Sequence, residues 1–350
     1  MSKPLVWLLS AYHTDSHAVW ADWLTHHLTD WQWRLYSLPG RHFRWRIRGN
    51  PLSWLDQLPK QTPDLIVASS MVDLSTLRGL RSDLASVPCV YYFHENQFEY
   101  PCSAQQHSSI DPQMVQLYGA LAADRIAFNS AFNRDSFLDG VHSLMQKLPD
   151  HCPAGLQDRL RQKSLVLPVP IEPVGQGERD PRLILWNHRW EYDKAPEVFA
   201  QAIELLQRTD TPFRLALFGA RGTKPHAALR RLREQVPPAK IVADGYLPKS
   251  DYRRFLGRAS IVVSSAIHEF QGLAMLEAVS AGASPLAPDA LCYPEQYPVD
   301  YLYAAGNGHA LFRRLKQWLE STVPEPPDIS CYYGAVQLPG WQALLSGLLD

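Results

Sequence analysis

Short apolar runs alternate with longer amphipathic stretches along the whole chain, in two series separated by one irregular segment. The first series offers LVWLLS (5–10), WRLYS (33–37), DLIVAS (64–69), PCVYYF (88–93) and RIAFNS (125–130) as strands. Helix candidates between them include His17 to Leu28, and Pro112 to Ala123 with Asp111 as cap and proline at the first helical position. At PVPIEPVGQGERDP (168–181) four prolines and two glycines interrupt all periodicity, which marks a domain boundary. A second series follows: RLILW (182–186), FRLALFG (213–219), KIVADG (240–245), SIVVSS (260–265) and SPLAP (284–288), with helices from about Pro196, Lys224, Ser250, Gly272 and His309. Strand–helix alternation is the pattern of parallel sheets flanked by helices. The fold expected is α/β, with two tandem doubly wound, Rossmann-like domains whose strand carboxyl ends face a central cleft. The expected divisions are 1–172, 173–322 and a closing helical segment, 323–350, with the option of returning toward the first domain. That segment starts at the break VPEPPD (323–328) and holds the helix candidate GWQALLSGLL (340–349).

With 350 residues, 46% hydrophobic and 20% charged, the chain has enough length for two buried cores. Its net charge of -1 gives no global field toward nucleic acid or an anionic membrane, so a polyanion would have to meet a local patch. The first apolar run, Leu5 to Leu9, is too short for a signal-peptide core or a membrane span and reads as a strand. Five cysteines, Cys89, Cys102, Cys152, Cys292 and Cys331, lack any C-x-x-C spacing, which fits reduced thiols in a cytoplasm.

Neither a G-x-G-x-x-G after the first strand, nor a P-loop, nor H-E-x-x-H, nor two aspartates one residue apart occurs. A phosphorylated ligand would then be neutralised by cationic side chains and helix ends rather than by a metal. HEFQGLAMLE (268–277) supplies such an end: the N–H groups of Gly272, Leu273 and Ala274 open a helix and form an anion site. Glu277 is the only charged residue from Phe270 through Pro288, and its neighbours at three and four residues cannot pair with it. Sugar hydroxyls would suit it, as would an arginine from elsewhere or a solvent-facing helix edge. In WNHRWEYDKAPE (186–197), Arg189 and Lys194 occupy a strand-to-helix connection, where two cations would hold a diphosphate; the alternative is a solvated loop pairing Arg189 with Glu191. His94, Glu95 and Asn96 form a polar tip at the end of VYYF, catalytic or structural. In PGRHFRWRIRGN (39–50), which also holds Arg41, an extended strand would put Arg44, Arg46 and Arg48 on one side and Phe43, Trp45 and Ile47 on the other. Such a basic row backed by aromatics suits a nucleic-acid backbone, or else a solvated strand face.

These residues give the chain a family likeness. It resembles the tRNA-queuosine mannosyltransferases, a branch close to glycosyltransferase family four with the GT-B fold. The matching stretches are FHENQFEYP (93–101), FNSAFNRDSF (128–137), LPDH (148–151), LWNHRWEYDKAPE (185–197), GYLPKSDY (245–252), HEFQGLAMLEAV (268–279) and PLAPDALCYPEQYPVDYLY (285–303), in order across nearly the whole chain. The E-x7-E element by itself implies a retaining glycosyltransferase, and the FHENQ and HRWEYDK stretches make the assignment narrower. The resemblance implies transfer of mannose from GDP-mannose to the cyclopentenediol of queuosine at a tRNA wobble position, with retained configuration and without metal. It places Arg189, Lys194 and the amides of Gly272 to Ala274 on the donor diphosphate, Glu277 on the ribose, Glu269 on the hexose, and Tyr246 and Leu247 beside the base. His94 would join Glu269 at the reacting centre, positioning and hydrogen-bonding the acceptor. Ser16, His17, Glu95, Asn96 and the arginines 41, 44, 46 and 48 would serve the acceptor tRNA. Where family members carry Gly-Gly before Ser-His, this chain reads AYHTDSH (11–17), with Thr14 and Asp15 in the glycine places. A related transferase with a lipid or saccharide acceptor, or a tRNA- or nucleotide-binding protein without turnover, would share many of these features.

Overall fold

The structure is a computed structural model that describes residues 3–100, 109–148, 150–222 and 224–349. Cys102, Pro101 of the FHENQFEYP stretch and Pro149 of LPDH lie outside the described residues. The chain divides into two compact units, residues 1–170 with 334–350, and residues 171–333. Residues 323–333, grouped by sequence with the closing helix, thus stay with the second unit, while the helix itself belongs to the first.

In the first unit, β1 (Leu5–His13), β2 (Gln32–Pro39), β3 (Leu65–Ser69), β4 (Cys89–Phe93), β5 (Arg125–Phe128) and β6 (Ser164–Val166) form a parallel sheet in the order β2-β1-β3-β4-β5-β6. The helices are α1 (Asp15–His27), α2 (Phe43–Trp54), α3 (Leu74–Leu80), α4 (Asp111–Ala122), α5 (Ala131–Lys147) and α6 (Leu156–Gln162). Strands β3 and β4 are buried at every position, which is why they read as continuous apolar runs rather than as alternation. Tyr91 and Tyr92 reach backbone acceptors from inside this core: the Tyr91 hydroxyl donates to Ser70 O and Val72 O, and Tyr92 to Leu167 O, each at 2.8 Å. Helix α4 begins at Asp111 itself, one residue earlier than the cap assignment, with Pro112 in its second position.

The segment read as a basic strand is helical. Phe43, Ile47, Asn50 and Trp54 recur at helical spacing and pack inward, and Arg46 is buried with them, so the arginines share no single row. A period of two takes in Phe43, Trp45 and Ile47, whereas the helix turns only Phe43 and Ile47 inward and leaves Trp45 exposed; the further inward residues that decide between the two, Asn50 and Trp54, come later. Asn50 is what lets the helix continue into Pro51: its Nδ2 donates to Ile47 O at 3.3 Å, the carbonyl that the proline cannot serve, and to Arg46 O and Met71 O.

In the second unit, β7 (Asp180–Trp186), β8 (Arg214–Leu217), β9 (Ile241–Asp244), β10 (Ala259–Val263), β11 (Ser284–Pro288) and β12 (Leu302–Tyr303) form a parallel sheet ordered β12-β11-β10-β7-β8-β9. Its helices are α7 (Pro196–Gln207), α8 (Ala227–Gln235), α9 (Lys249–Arg258), α10 (Leu273–Ser280), α11 (Tyr293–Gln296) and α12 (Gly308–Glu320). The strand order runs outward from β7 in both directions, so the topological switch lies between β7 and β10, and the loops leaving their carboxyl ends flank the crevice expected to hold ligand. Helix α13 (Gly334–Ser346) returns to the first unit and buries Trp341 against Trp20 and Tyr92. Among the described residues no helix is long and apolar enough to cross a membrane.

Candidate active site

The two loops at the switch of the second unit are locked together. After β7 the chain makes a 3-10 turn, Tyr192–Lys194, and Ala195 adopts a left-handed φ of 41° before Pro196 opens α7. The loop after β10 holds that strained turn: the Ser265 hydroxyl donates to Lys194 O and Ala195 O, and the amides of Ile267 and His268 donate to Asp193 O. On the other side Gly219 (φ 95°) approaches so closely that any side chain there would collide with the His188 carbonyl.

This clamp buries a cation between two carboxylates. Lys194 Nζ lies 3.0 Å from Glu269 Oε2, 3.3 Å from Asp193 Oδ2 and 2.9 Å from the His268 carbonyl. Burial pushes Glu269 up, but the Lys194 charge and hydrogen bond, with the Gly272 amide, overcome it and hold the carboxyl down at about 2. Burial likewise pulls Lys194 down, and Glu269 and Asp193 more than reverse it. Both groups are therefore charged at neutral pH. Arg189 stands half-exposed at the mouth, 2.8 Å from Glu191 and 3.0 Å from Asp193.

Helix α10 starts from Gly272 as cap, in the left-handed region at φ 68°. The Gly272 amide is engaged by Glu269, whose Oε1 also accepts from Phe270 N at 3.1 Å, so Leu273 and Ala274 carry the first-turn amides left for an anion. Glu277, one turn in, forms no ion pair among the described residues. Among the described residues its carboxylate has one hydrogen bond, a long one of 3.4 Å from the Tyr252 hydroxyl, which itself accepts from Asn187 Nδ2. Burial raises the Glu277 pKa against the opposing pull of that hydroxyl, Arg253 and Lys249. A carboxylate so sparsely served is suited to accept from ligand hydroxyls.

In the first unit, His94 follows β4 and stacks on His17 from the first turn of α1, ring centroids 4.1 Å apart, with Trp20 and Tyr92 against its edges. The Nδ1–H of His17 donates to Tyr12 O, and His94 Nε2 has no partner among the described residues. Burial, with each ring beside another imidazole, lowers both: His17 to about 4, His94 well below its ordinary value. Two neutral imidazoles result.

Both halves of the chain match known families. Residues 5–171 match the family model described as the N-terminal domain of tRNA-queuosine alpha-mannosyltransferase, and residues 181–321 the one described as glycosyl transferases group 1. A Drosophila melanogaster protein, the tRNA-queuosine alpha-mannosyltransferase, is 32% identical over 329 residues, covering 90% of this chain and 86% of that protein. The chain belongs to the tRNA-queuosine alpha-mannosyltransferase family. It is a glycosyltransferase. Solved structures share its fold at low identity: Anabaena HepE in complex with UDP and glucose (TM-score 0.70, 12% identity, 99% of this chain and 100% of that one) and sucrose-phosphate synthase from Thermosynechococcus elongatus (TM-score 0.69, 12%, 99% and 96%). The fold is GT-B.

For a tRNA-queuosine alpha-mannosyltransferase family member the AYHTDSH departure has a simple structural setting. Thr14 caps α1 with extended backbone (φ -100°, ψ 176°), a conformation that needs no glycine, and its methyl packs against Gly40. Asp15 and Ser16 are exposed at the start of α1, whereas His17 is buried. Tyr246 is 95% exposed after β9, with Leu247 half-buried beside it.

Several residues assigned to the acceptor are committed inside the first unit. Asn96 donates to Asn133 O, Asn133 Oδ1 and Ser136 Oγ, and accepts from the amides of Phe98 and Glu99, which makes it the pin of the loop after His94 rather than a free contact. The backbone carbonyl of Glu95 accepts from Ser70 and Gln116. Arg46 is buried, and Arg48 donates to the wholly buried Asp73 at 2.7 Å; Arg41 and Arg44 face solvent. Asn187, His188, Asp193 and Tyr252 were missed as site residues. The first three stand within the NHRWEYDK run, a cluster of polar residues directly after a buried strand, which was the available signal.

The buried histidines make stability pH-dependent. His17, His188 and His268 are lowered by burial to about 4, so between about pH 6.5 and 4 the unfolded chain binds protons that the folded chain does not. Stability should then fall as pH falls through that window. Melting temperature measured from pH 7 to 4.5 checks this, and a flat profile would show that these imidazoles are accessible to protons in the fold.

Proposed function

We propose that the protein transfers mannose from GDP-mannose to a cyclopentenediol hydroxyl of queuosine at the wobble position of a tRNA, with retained anomeric configuration, without metal, and in the cytoplasm. The observation that carries this reading is the likeness to the Drosophila enzyme across nearly the whole chain, with the queuosine-family match falling on the first unit. Arg189 exchanges its carboxylate partners for the donor diphosphate, and Lys194 supplies the second positive charge from within. The amides of Leu273 and Ala274 add dipoles, Glu277 accepts from the ribose hydroxyls, and Glu269 from the hexose. The bond from the sugar C1 to the diphosphate oxygen breaks, a bond from C1 to the queuosine oxygen forms, and the hydroxyl proton passes to the departing diphosphate. Neutral His94 holds the acceptor by hydrogen bonds.

Incubation of purified protein with queuosine-containing tRNA and a panel of nucleotide sugars, followed by mass spectrometry of the digested nucleosides, tests the reading. Hexose on queuosine, with GDP-mannose preferred, is the expected result. Donor hydrolysis without a queuosine product would point to another acceptor, and neither reaction to a binding protein.

A further inference from the structure

The second unit holds a groove of about 970 Å³ at the end of its sheet opposite the donor loops. Its walls are the linker before β7, the amino-terminal ends of β7 and β8, and helix α9. Six arginines line it, Arg179, Arg182, Arg214, Arg253, Arg254 and Arg258, against two carboxylates, Glu178 and Asp180. Asp180 is taken by Arg214 at 2.7 Å, and Arg254 meets Asp251 at 3.4 Å. Arg182, Arg253 and Arg258 form no ion pair among the described residues. The linker wall is fixed, because Gly177 N donates to Gly257 O in α9 at 3.2 Å.

A chain of net charge -1 that concentrates six guanidinium groups around one concavity has built a local field for an anion. No aromatic side chain lines the groove, so nothing there stacks a base. Its volume far exceeds one phosphate, and its arginines come from the linker, the starts of β7 and β8, and α9, with Arg182, Arg214, Arg253 and Arg254 exposed. We propose that this groove binds the phosphodiester backbone of the tRNA substrate, as a sequence-independent contact. The proposal rests on the tRNA reading given above, and it deepens it: part of the affinity for tRNA comes from the glycosyltransferase unit itself.

The test is steady-state hexose transfer with the full-length chain across a salt series, comparing wild type, R182E/R258E, and an off-groove control with the same charge change, R208E/R230E. The groove variant should raise the KM for tRNA about tenfold or more near 0.1 M salt. It should also flatten the dependence of kcat/KM on salt by roughly two in log–log slope. The kcat and the KM for the nucleotide sugar should stay unchanged, and the control should follow wild type. A groove variant that tracks the control in both KM and slope overturns the proposal. So does one whose tRNA kinetics are intact while it alone loses binding to phosphatidylglycerol vesicles, which would assign the groove to a membrane surface. If wild type transfers no hexose to queuosine tRNA, the functional reading fails instead, and fluorescence anisotropy with labelled tRNA still decides the groove by the same three-way comparison.

Discussion

Lys194→Ala should reduce hexose transfer by about 10²–10³-fold and destabilise the protein by about 3–5 kcal/mol. The two losses have different origins. The activity loss comes from removing the inner cation of the pair that would neutralise the donor diphosphate, leaving half-exposed Arg189 alone. The stability loss comes from what the ammonium leaves behind: Glu269 loses its counter-charge, and Asp193 keeps only the half-exposed Arg189. The low pKa of Glu269, set by the balance of burial against Lys194, should rise sharply in the variant. Its added stability cost would grow as pH rises through the new value, because it is the ionised form that is penalised. A double variant, K194M/E269Q, separates the two effects: it removes the charge mismatch and should recover much of the melting temperature without recovering transfer. Denaturant titration and nucleoside mass spectrometry provide the measurements. Retention of more than a tenth of the activity by Lys194→Ala would remove Lys194 from the donor site.

That clamp was legible in the sequence only in halves. Arg189 and Lys194 stood out because a buried strand, RLILW, ends abruptly in charged residues, and Glu269 and Glu277 because they interrupt an apolar stretch. Doubly wound topology then requires the loops after β7 and β10 to meet at the switch, so the pairing of Lys194 with Glu269 across 75 residues follows from strand order once the strands are known. The hydroxyl that serves Glu277 was not legible. Tyr252 comes from α9, and nothing local in GYLPKSDY marks its tyrosine as pointing at an acid 25 residues on. The alternation of Phe43, Trp45 and Ile47 suggests a strand because exposed Trp45 mimics an inward residue, and the later Asn50-Pro51 pair, which ordinarily signals a break, is here repaired by the asparagine side chain. Asn96 looked like a functional tip for a similar reason. A polar residue at a strand end serves either ligand or loop, and the network with Asn133 and Ser136 that decides the matter depends on α5, whose first turn lies nearly forty residues later.

Glu277→Gln should weaken GDP binding by about 10–100-fold while leaving the ligand-free protein as stable as wild type or more so. Hydrogen bonds to a charged acceptor are worth roughly 1.5–3 kcal/mol each, and the ribose would present its hydroxyls to this carboxylate. In the free protein the same carboxylate is a liability, because burial raises its pKa and one long hydrogen bond from Tyr252 offsets little of the cost. For an acid raised in the folded state, stability is intact below the unfolded value near 4.3 and is lost as pH rises through the folded value. Glutamine, with no charge to bury, escapes that loss, and relief of this kind is typically worth about 0.5–2 kcal/mol. Tyr252→Phe should move stability the other way at neutral pH, by taking away the one hydroxyl that, among the described residues, donates to this carboxylate, and should leave GDP affinity close to that of wild type. Melting temperatures of the free proteins set beside calorimetric titration with GDP therefore distinguish a ligand-directed carboxylate from a structural one. If Glu277→Gln bound GDP as wild type does and melted lower, Glu277 would be holding the fold rather than the nucleotide.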